Sequence, residues 1–150
     1  MNLGLVSCNQ AVFIQPQFPS GGINSFAPEE APAYSADGRF LAFSSDRNGR
    51  REIWLFDRQR RSLVSLPNLN QANAMQSEPA LSANGRFIVY ISTARGKSDV
   101  MIYDRDRQRS ELLTANVRGS VRNPTISGDG RQIAFQSNQN GQWDILLIDR

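Results

Sequence analysis

One phrase, written three times in step, constrains this chain more than any other feature. It reads Ala31-Pro32-Ala33-Tyr34-Ser35-Ala36-Asp37-Gly38-Arg39 before Phe40-Leu41-Ala42-Phe43, then Glu78-Pro79-Ala80-Leu81-Ser82-Ala83-Asn84-Gly85-Arg86 before Phe87-Ile88-Val89-Tyr90. The third copy is Asn123-Pro124-Thr125-Ile126-Ser127-Gly128-Asp129-Gly130-Arg131 before Gln132-Ile133-Ala134-Phe135. The copies stay in register beyond the phrase, through Ser45, Ser92 and Ser137, then Gly49, Gly96 and Gly141, to Asp57-Arg58, Asp104-Arg105 and Asp149-Arg150. The prolines stand 47 and then 45 residues apart. A period of that length marks stacked supersecondary units, of which four-stranded propeller blades are the main all-β kind.

Each unit translates into strands. Asp37-Gly38, Asn84-Gly85 and Asp129-Gly130 are hairpin dipeptides, because glycine accepts positive φ and Asn or Asp tolerates it. The runs Phe40 to Ser44, Phe87 to Ile91 and Gln132 to Gln136, followed by Ile53 to Phe56, Val100 to Tyr103 and Ile145 to Ile148, are short and bounded by glycine turns. The second set is apolar at every position, which a strand needs only when both its faces are covered. Sheets must therefore stack face to face. No run reaches helix length, and no 3.6-residue period survives the glycines.

An outer strand follows in two copies, Ser62 to Leu66 and Ser110 to Thr114. The third copy has none before Arg150, and Gly22 to Ser25 or Ala11 to Gln15 are the candidates to supply it. The expected fold is all-β: three four-stranded antiparallel propeller-type blades over about 31–66, 78–114 and 123–150, in a domain spanning 29–150 behind an N-terminal segment 1–28. Three blades fall short of the four to eight that close a ring, and unpaired sheet edges invite association. A two-fold dimer would complete six blades, with each N-terminal strand closing the third blade of the other chain. An open stack and a fragment of a longer chain are the alternatives.

The 150 residues include 16 arginines, one lysine (Lys97), no histidine and a net charge of +3. Without histidine there is no Ser-His or Cys-His nucleophile pair and no neutral imidazole ligand for a metal. The single cysteine, Cys8, excludes an intramolecular disulfide. Met1 to Ser25 carry no charged residue, and Leu5-Val6-Ser7-Cys8 resembles the lipobox of bacterial lipoproteins, in which the cysteine is lipidated. Seven residues before Cys8 are too few for a secretory signal, so that reading requires a start further upstream. The alternative is a free cysteine in a loop-rich terminus.

The pattern Pro-x-x-Ser-x-(Asp/Asn)-Gly-Arg, a strand ending in Phe or Tyr, a serine, a glycine turn and a closing Asp-Arg closely resembles the TolB-like β-propeller repeat. It covers residues 31–58, 78–105 and 123–150. The resemblance implies a ring usually of six blades, a periplasmic or envelope location, and binding of envelope protein partners through the propeller face and channel. A cytoplasmic location would follow if no signal precedes the chain.

Features shared by all copies read as structural. Asp57, Asp104 and Asp149 are expected to cap strand ends or to pair with Arg39, Arg86 and Arg131. Function should sit on what does not recur. The loop leading into each innermost strand should bring Glu29, Glu30, Gln76, Glu78, Arg118, Arg122 and Asn123 to one mouth of the channel. Glu30, Glu78, Arg118, Arg122, Asn123 and Trp143 are the candidate partner-binding residues, solvated loop charge being the alternative. Trp54 is expected between blades.

The first functional expectation is a non-enzymatic protein-protein interaction or scaffold module without cofactor or metal. A propeller enzyme acting on glycans or peptides would use paired carboxylates, and Glu30 with Glu78 is the pair this layout brings near one another. No Gly-x-Ser-x-Gly is present. Anionic polymer binding is the third reading, through Arg58, Arg60 and Arg61 and through Arg105, Arg107 and Arg109 on one rim. Asp57, Asp104 and Asp106 interleave with those arginines and no aromatic platform accompanies them, which speaks against nucleic acid. Membrane contact would come only through lipidation of Cys8.

Overall fold

The structure, a computed structural model, describes residues 21–150. Eleven strands and no helix make up this part of the chain. Strands β1 (Glu29–Tyr34), β2 (Phe40–Ser45), β3 (Glu52–Asp57) and β4 (Ser62–Val64) form the first sheet in that order. Strands β5 (Gln76–Leu81), β6 (Phe87–Ser92), β7 (Asp99–Asp104) and β8 (Arg109–Leu112) form the second, and β9 (Val121–Ile126), β10 (Gln132–Ser137) and β11 (Asp144–Asp149) the third. All neighbouring strands are antiparallel, and the β2/β3, β6/β7 and β10/β11 ladders are in identical register. The third blade thus has three strands among the described residues, where four are expected. Gly22 to Ser25 is not a strand; Arg47 Nη1 and Nη2 hold the Gly22 and Ile23 carbonyls at 3.1 and 2.5 Å, fixing this segment to its own first blade. Ala11 to Gln15 and Cys8 lie outside the described residues.

The turn of the repeated phrase is built from its own side chains. Ser35 Oγ donates to Asp37 Oδ1 at 2.5 Å and accepts the Phe40 N–H at 3.0 Å, while Asp37 Oδ1 accepts the Arg39 N–H at 3.0 Å. Gly38 sits at φ 70° and donates its N–H to the Ser35 carbonyl at 2.9 Å. Equivalent bonds close the turns at Ser82 and Ser127. These bonds join residues within five positions of one another, so each copy of the phrase carries what its own turn needs.

Blades stack through two apolar layers. Phe40, Ala42, Ile53 and Leu55 of the first blade meet Leu81, Ile88, Tyr90 and Tyr103 of the second. Val89, Ile91, Val100 and Ile102 on the other side of the second blade meet Val121, Ile133 and Phe135 of the third. Each fully buried aliphatic side chain contributes roughly 1.5–3 kcal/mol, so these layers dominate the stability. Strand β5 packs across β1, β2 and β3, and β9 across β5, β6 and β7, so the innermost strands lie side by side. Trp54 departs from expectation. It lies opposite Phe43 on the first blade's other face, away from the second blade, beneath the Arg47 guanidinium at 4.7 Å from its ring.

Of the recurrent aspartates, Asp57 pairs with Arg39 at 2.7 Å and Asp104 with Arg86 at 2.9 Å. Asp57 also accepts the Gln59 and Arg60 N–H groups, so it pairs and caps at once. In the third blade Asp149 accepts from Gln132 Nε2 at 3.2 Å.

Candidate functional site

The innermost strands begin before the prolines rather than at them, because each contains a bulge that restarts the ladder beyond the proline. Ala31-Pro32 lies opposite Phe43, Glu78-Pro79 opposite Tyr90, and Asn123-Pro124 opposite Phe135, two residues against one. The residue before each proline is left-handed, with φ of 51° at Ala31, 52° at Glu78 and 50° at Asn123. Proline cannot donate to a ladder, so a bulge is where an inner strand can hold one. The sequence reading missed this backbone feature, although Pro at one fixed place inside a pairing strand was its signal.

The bulges place the expected residues on strands rather than in loops. Glu29 and Glu30 lie on β1, Gln76 and Glu78 on β5, Arg122 and Asn123 on β9; Arg118 is exposed in the β8/β9 loop. The bulged Asn123 N–H, which has no ladder partner, donates to the Glu78 carboxylate of the neighbouring blade. Asn123 Nδ2 and Arg122 Nε both donate to Gln136 Oε1, at 3.2 and 2.7 Å. The Arg122 guanidinium then lies 3.9 Å from the centroid of the half-exposed Trp143 ring. Glu78, Asn123, Arg122 and Trp143 are thereby one connected group.

Glu30 is engaged elsewhere. Arg51 Nη1 donates to its carboxylate at 2.5 Å while Arg51 Nε donates to Asp46 at 2.8 Å. These hydrogen bonds to Asp46 and then Glu30 raise the Arg51 pKa further above its ordinary value, against the effect of burial. Glu29 is partly buried against Ser25, Ser45 and Arg47. Burial opposes its ionised form, but the Ser25 and Ser45 hydrogen bonds and the Arg47 charge hold the carboxyl below its usual range.

Repeat register turns these contacts into a rule. Glu30, Ser77 and Arg122 occupy the same place, two before the proline, and Arg51, Ser98 and Trp143 the same place nineteen after it. In the first blade the two places hold an ion pair and in the third a cation over an indole. In the second, Ser98 Oγ accepts the Val121 N–H of the next blade at 2.9 Å. One scaffold position pair therefore carries a different set of side chains, with different contacts, in each blade. Counting in register could have found it from sequence.

Antiparallel topology puts the β1/β2 and β3/β4 turns on the opposite rim, where the arginine clusters lie. Two of those six arginines stand near carboxylates, Arg60 at 3.9 Å from Asp57 and Arg107 at 3.7 Å from Asp104, while the interleaved Asp106 pairs with Arg86 at 3.0 Å. Arg105 lies over the Phe40 ring at 4.4 Å, within the blade junction. Among the described residues, no group of three or more His, Cys, Asp or Glu side chains is placed to hold a metal ion.

Solved structures share this arrangement. TolB from Acinetobacter baumannii superposes with a TM-score of 0.64 at 23% identity, over 79% of this chain and 29% of that one. A putative TolB from Agrobacterium tumefaciens gives 0.67 at 19% identity, over 81% of this chain and 46% of that one. A puromycin-hydrolyzing peptidase from Mycobacterium tuberculosis gives 0.58 at 15% identity, over 82% of this chain and 19% of that one. The chain thus spans less than half the length of either TolB structure. No curated protein sequence matches it. Bulged innermost strands, the repeated serine-glycine turn and the stacked blades agree with a family match over residues 22–150, and the chain belongs to the TolB beta propeller domain family.

Proposed function

We propose that this chain is a non-enzymatic protein-binding module of the bacterial envelope, and that it presents the variable pairs of the mouth to a protein partner. The observation that carries the reading is the Arg122 and Trp143 stack, half-exposed, on a position pair that every blade fills differently. A partly exposed indole under a guanidinium offers apolar area, a donor and fixed charge at low entropic cost, which is the composition of interface anchors. Similarity to TolB supports the envelope assignment and similarity to a peptidase leaves the fold compatible with an enzyme. Glu30 and Glu78 are committed to separate partners, Arg51 and the Asn123 N–H, so no acid-base pair is assembled from them.

The test is capture of envelope proteins on immobilised wild type, Trp143→Ala and Arg122→Glu. Loss of one defined partner with both variants, at unchanged thermal stability, supports the reading. Equal capture by all three removes the mouth from it. Turnover in a broad peptidase and glycosidase panel that disappears with Glu30→Gln would replace it with the enzyme reading.

A further inference from the structure

A cavity of about 340 Å³ opens on the rim opposite the mouth, between the first blade and the second. Ser65 and Pro67, just after β4, line one wall; Asn84 and Arg86 of the β5/β6 turn and Arg105 and Gln108 of the β7/β8 turn line the other. The walls are tied together, for Tyr103 Oη donates to the Pro67 carbonyl at 2.6 Å and Asn68 Nδ2 to the Gln108 carbonyl at 3.2 Å. Sites for small molecules run from about 300 to 1,000 Å³, so the space is large enough to hold one.

Charge around the cavity does not balance. Arg86 is held by Asp104 at 2.9 Å and by Asp106 at 3.0 Å, and Arg107 stands 3.7 Å from Asp104. Arg105 pairs with no carboxylate among the described residues: Nη1 donates to the Gly85 carbonyl at 3.0 Å, the guanidinium lies 4.4 Å from the Phe40 centroid, and Nε and Nη2 have no described acceptor. Arg58 and Arg150 make the same bond to the Gly38 and Gly130 carbonyls, so that bond belongs to the repeat. The remaining donors of Arg105 are left to the cavity. Burial holds its pKa below that of an ordinary arginine, despite the nearby Asp106 charge. A guanidinium partly withdrawn from water without a counter-ion gains most from an anion.

The turn beside it carries a second sign. Asp37 and Asp129 fill the acidic place of the repeated phrase, and Asn84 fills it at the cavity. Asn84 Oδ1 makes the bonds of the turn, accepting from Ser82 Oγ at 3.4 Å and from the Arg86 N–H at 3.0 Å, as the aspartates accept from their own serines and arginines. The other branch of the side chain is what differs. A neutral donor, Nδ2, with no described acceptor, stands where the other two turns have a carboxylate oxygen.

We propose that this cavity binds a small organic acid through one carboxylate, held by Arg105 and Asn84. The Nε and Nη2 edge of a guanidinium meets a carboxylate in two parallel hydrogen bonds, and the Asn84 amide adds a third donor. Arg86, Arg105 and Arg107 set against Asp104 and Asp106 leave one positive charge, which one carboxylate cancels. A phosphate monoester, at about −1.5 to −2, would bring more charge than the site offsets. Ser65 and Gln108 present a hydroxyl and an amide to polar substituents of the acid.

The test is titration of the 150-residue chain with lactate, malate and gluconate, and separately with inorganic phosphate, read by calorimetry and by thermal shift. At least one of the acids should bind, one molecule per chain, more tightly than phosphate does. Asn84→Asp installs the residue that the other two turns already carry, so it should fold as they do, and it should weaken the acid about tenfold or more by setting a negative charge beside the site. Arg105→Gln should abolish binding. Because that variant also loses the bond to the Gly85 carbonyl, Asn84→Asp keeps the result decisive if Arg105→Gln does not fold. Equal acid affinity in wild type and Asn84→Asp, phosphate binding more tightly than every acid, or no binding of any acid up to about 10 mM would each overturn the proposal.

Discussion

Arg122 and Trp143 occupy in the third blade the two places that Glu30 and Arg51 occupy in the first. The guanidinium lies 3.9 Å from the indole centroid in one case and 2.5 Å from a carboxylate oxygen in the other. Backbone positions are shared and side-chain chemistry is not. That separation lets a repeat protein change what it presents without disturbing how its blades stack.

The stack over Trp143 should be visible in fluorescence. In a Trp54→Phe background, Arg122→Gln is expected to increase acrylamide quenching of Trp143, because the guanidinium no longer shields one ring face. A cation over a ring contributes about 0.5–1 kcal/mol at exposed sites, so thermal stability should fall by no more than that. Unchanged quenching would show that the stack does not persist in solution.

Asp57 should govern part of the acid response. The Arg39 hydrogen bond, aided by the Arg60 and Gln59 N–H groups and opposed by burial, holds its carboxyl at about 2. A lowered carboxyl stabilises the fold above its unfolded value near 4, and that stability is lost as pH falls toward the folded value. Asp57→Asn is therefore expected to be less stable than wild type at pH 7, with the difference shrinking between about pH 4 and pH 2. Urea midpoints across that range measure it, and a difference that does not vary with pH would contradict the assignment.

Tyr90 should govern part of the alkaline response. Burial pushes its phenol up to about 12, against the Ser110 hydrogen bond that favours ionisation. A raised phenol stabilises the fold below the unfolded value near 10, and this is lost as pH rises toward 12. Tyr90→Phe should cost about 1 kcal/mol at neutral pH through the lost hydrogen bond and should lose stability less steeply above pH 10. Parallel unfolding curves from pH 9 to 12 would refute it.

Two glycine substitutions should separate backbone strain from blade contact. Gly49 has φ 80° and open space around it, so Gly49→Ala is expected to cost about 1–2 kcal/mol, from the left-handed backbone alone. Gly85 has φ 71° and meets the Phe40 ring, so Gly85→Ala adds overpacking of about 1–3 kcal/mol. Equal destabilisation in urea titrations would mean that Phe40 yields freely and that the junction is looser than its geometry implies.

Repeat position made strands β2, β3, β6, β7, β10 and β11, the Ser-x-(Asp/Asn)-Gly turns and the Arg39 to Asp57 pairing legible before any coordinates. They rest on contacts close in sequence or on strict register, which a linear pattern records. The Trp54 environment was not legible. Its register equivalents Met101 and Leu146 do face a preceding blade, but nothing in one sequence says that Arg47 covers that place in the first blade. Glu30 and Glu78 looked like a pair because the loops leading into the innermost strands were expected to gather at one mouth. They are one residue apart in register, and the bulge sends them to different partners.

The sequence by itself determined the unit and the order of its strands, because each blade is specified by local turns and apolar runs that recur every 45 or 47 residues. The tertiary structure decided which side chains meet across blades. Those contacts join residues such as Glu78 and Asn123, 45 positions apart, and depend on how an inner strand bulges and which face it turns to its neighbour. Such choices belong to the packing of whole sheets rather than to any stretch of chain, so they enter only when the blades are assembled.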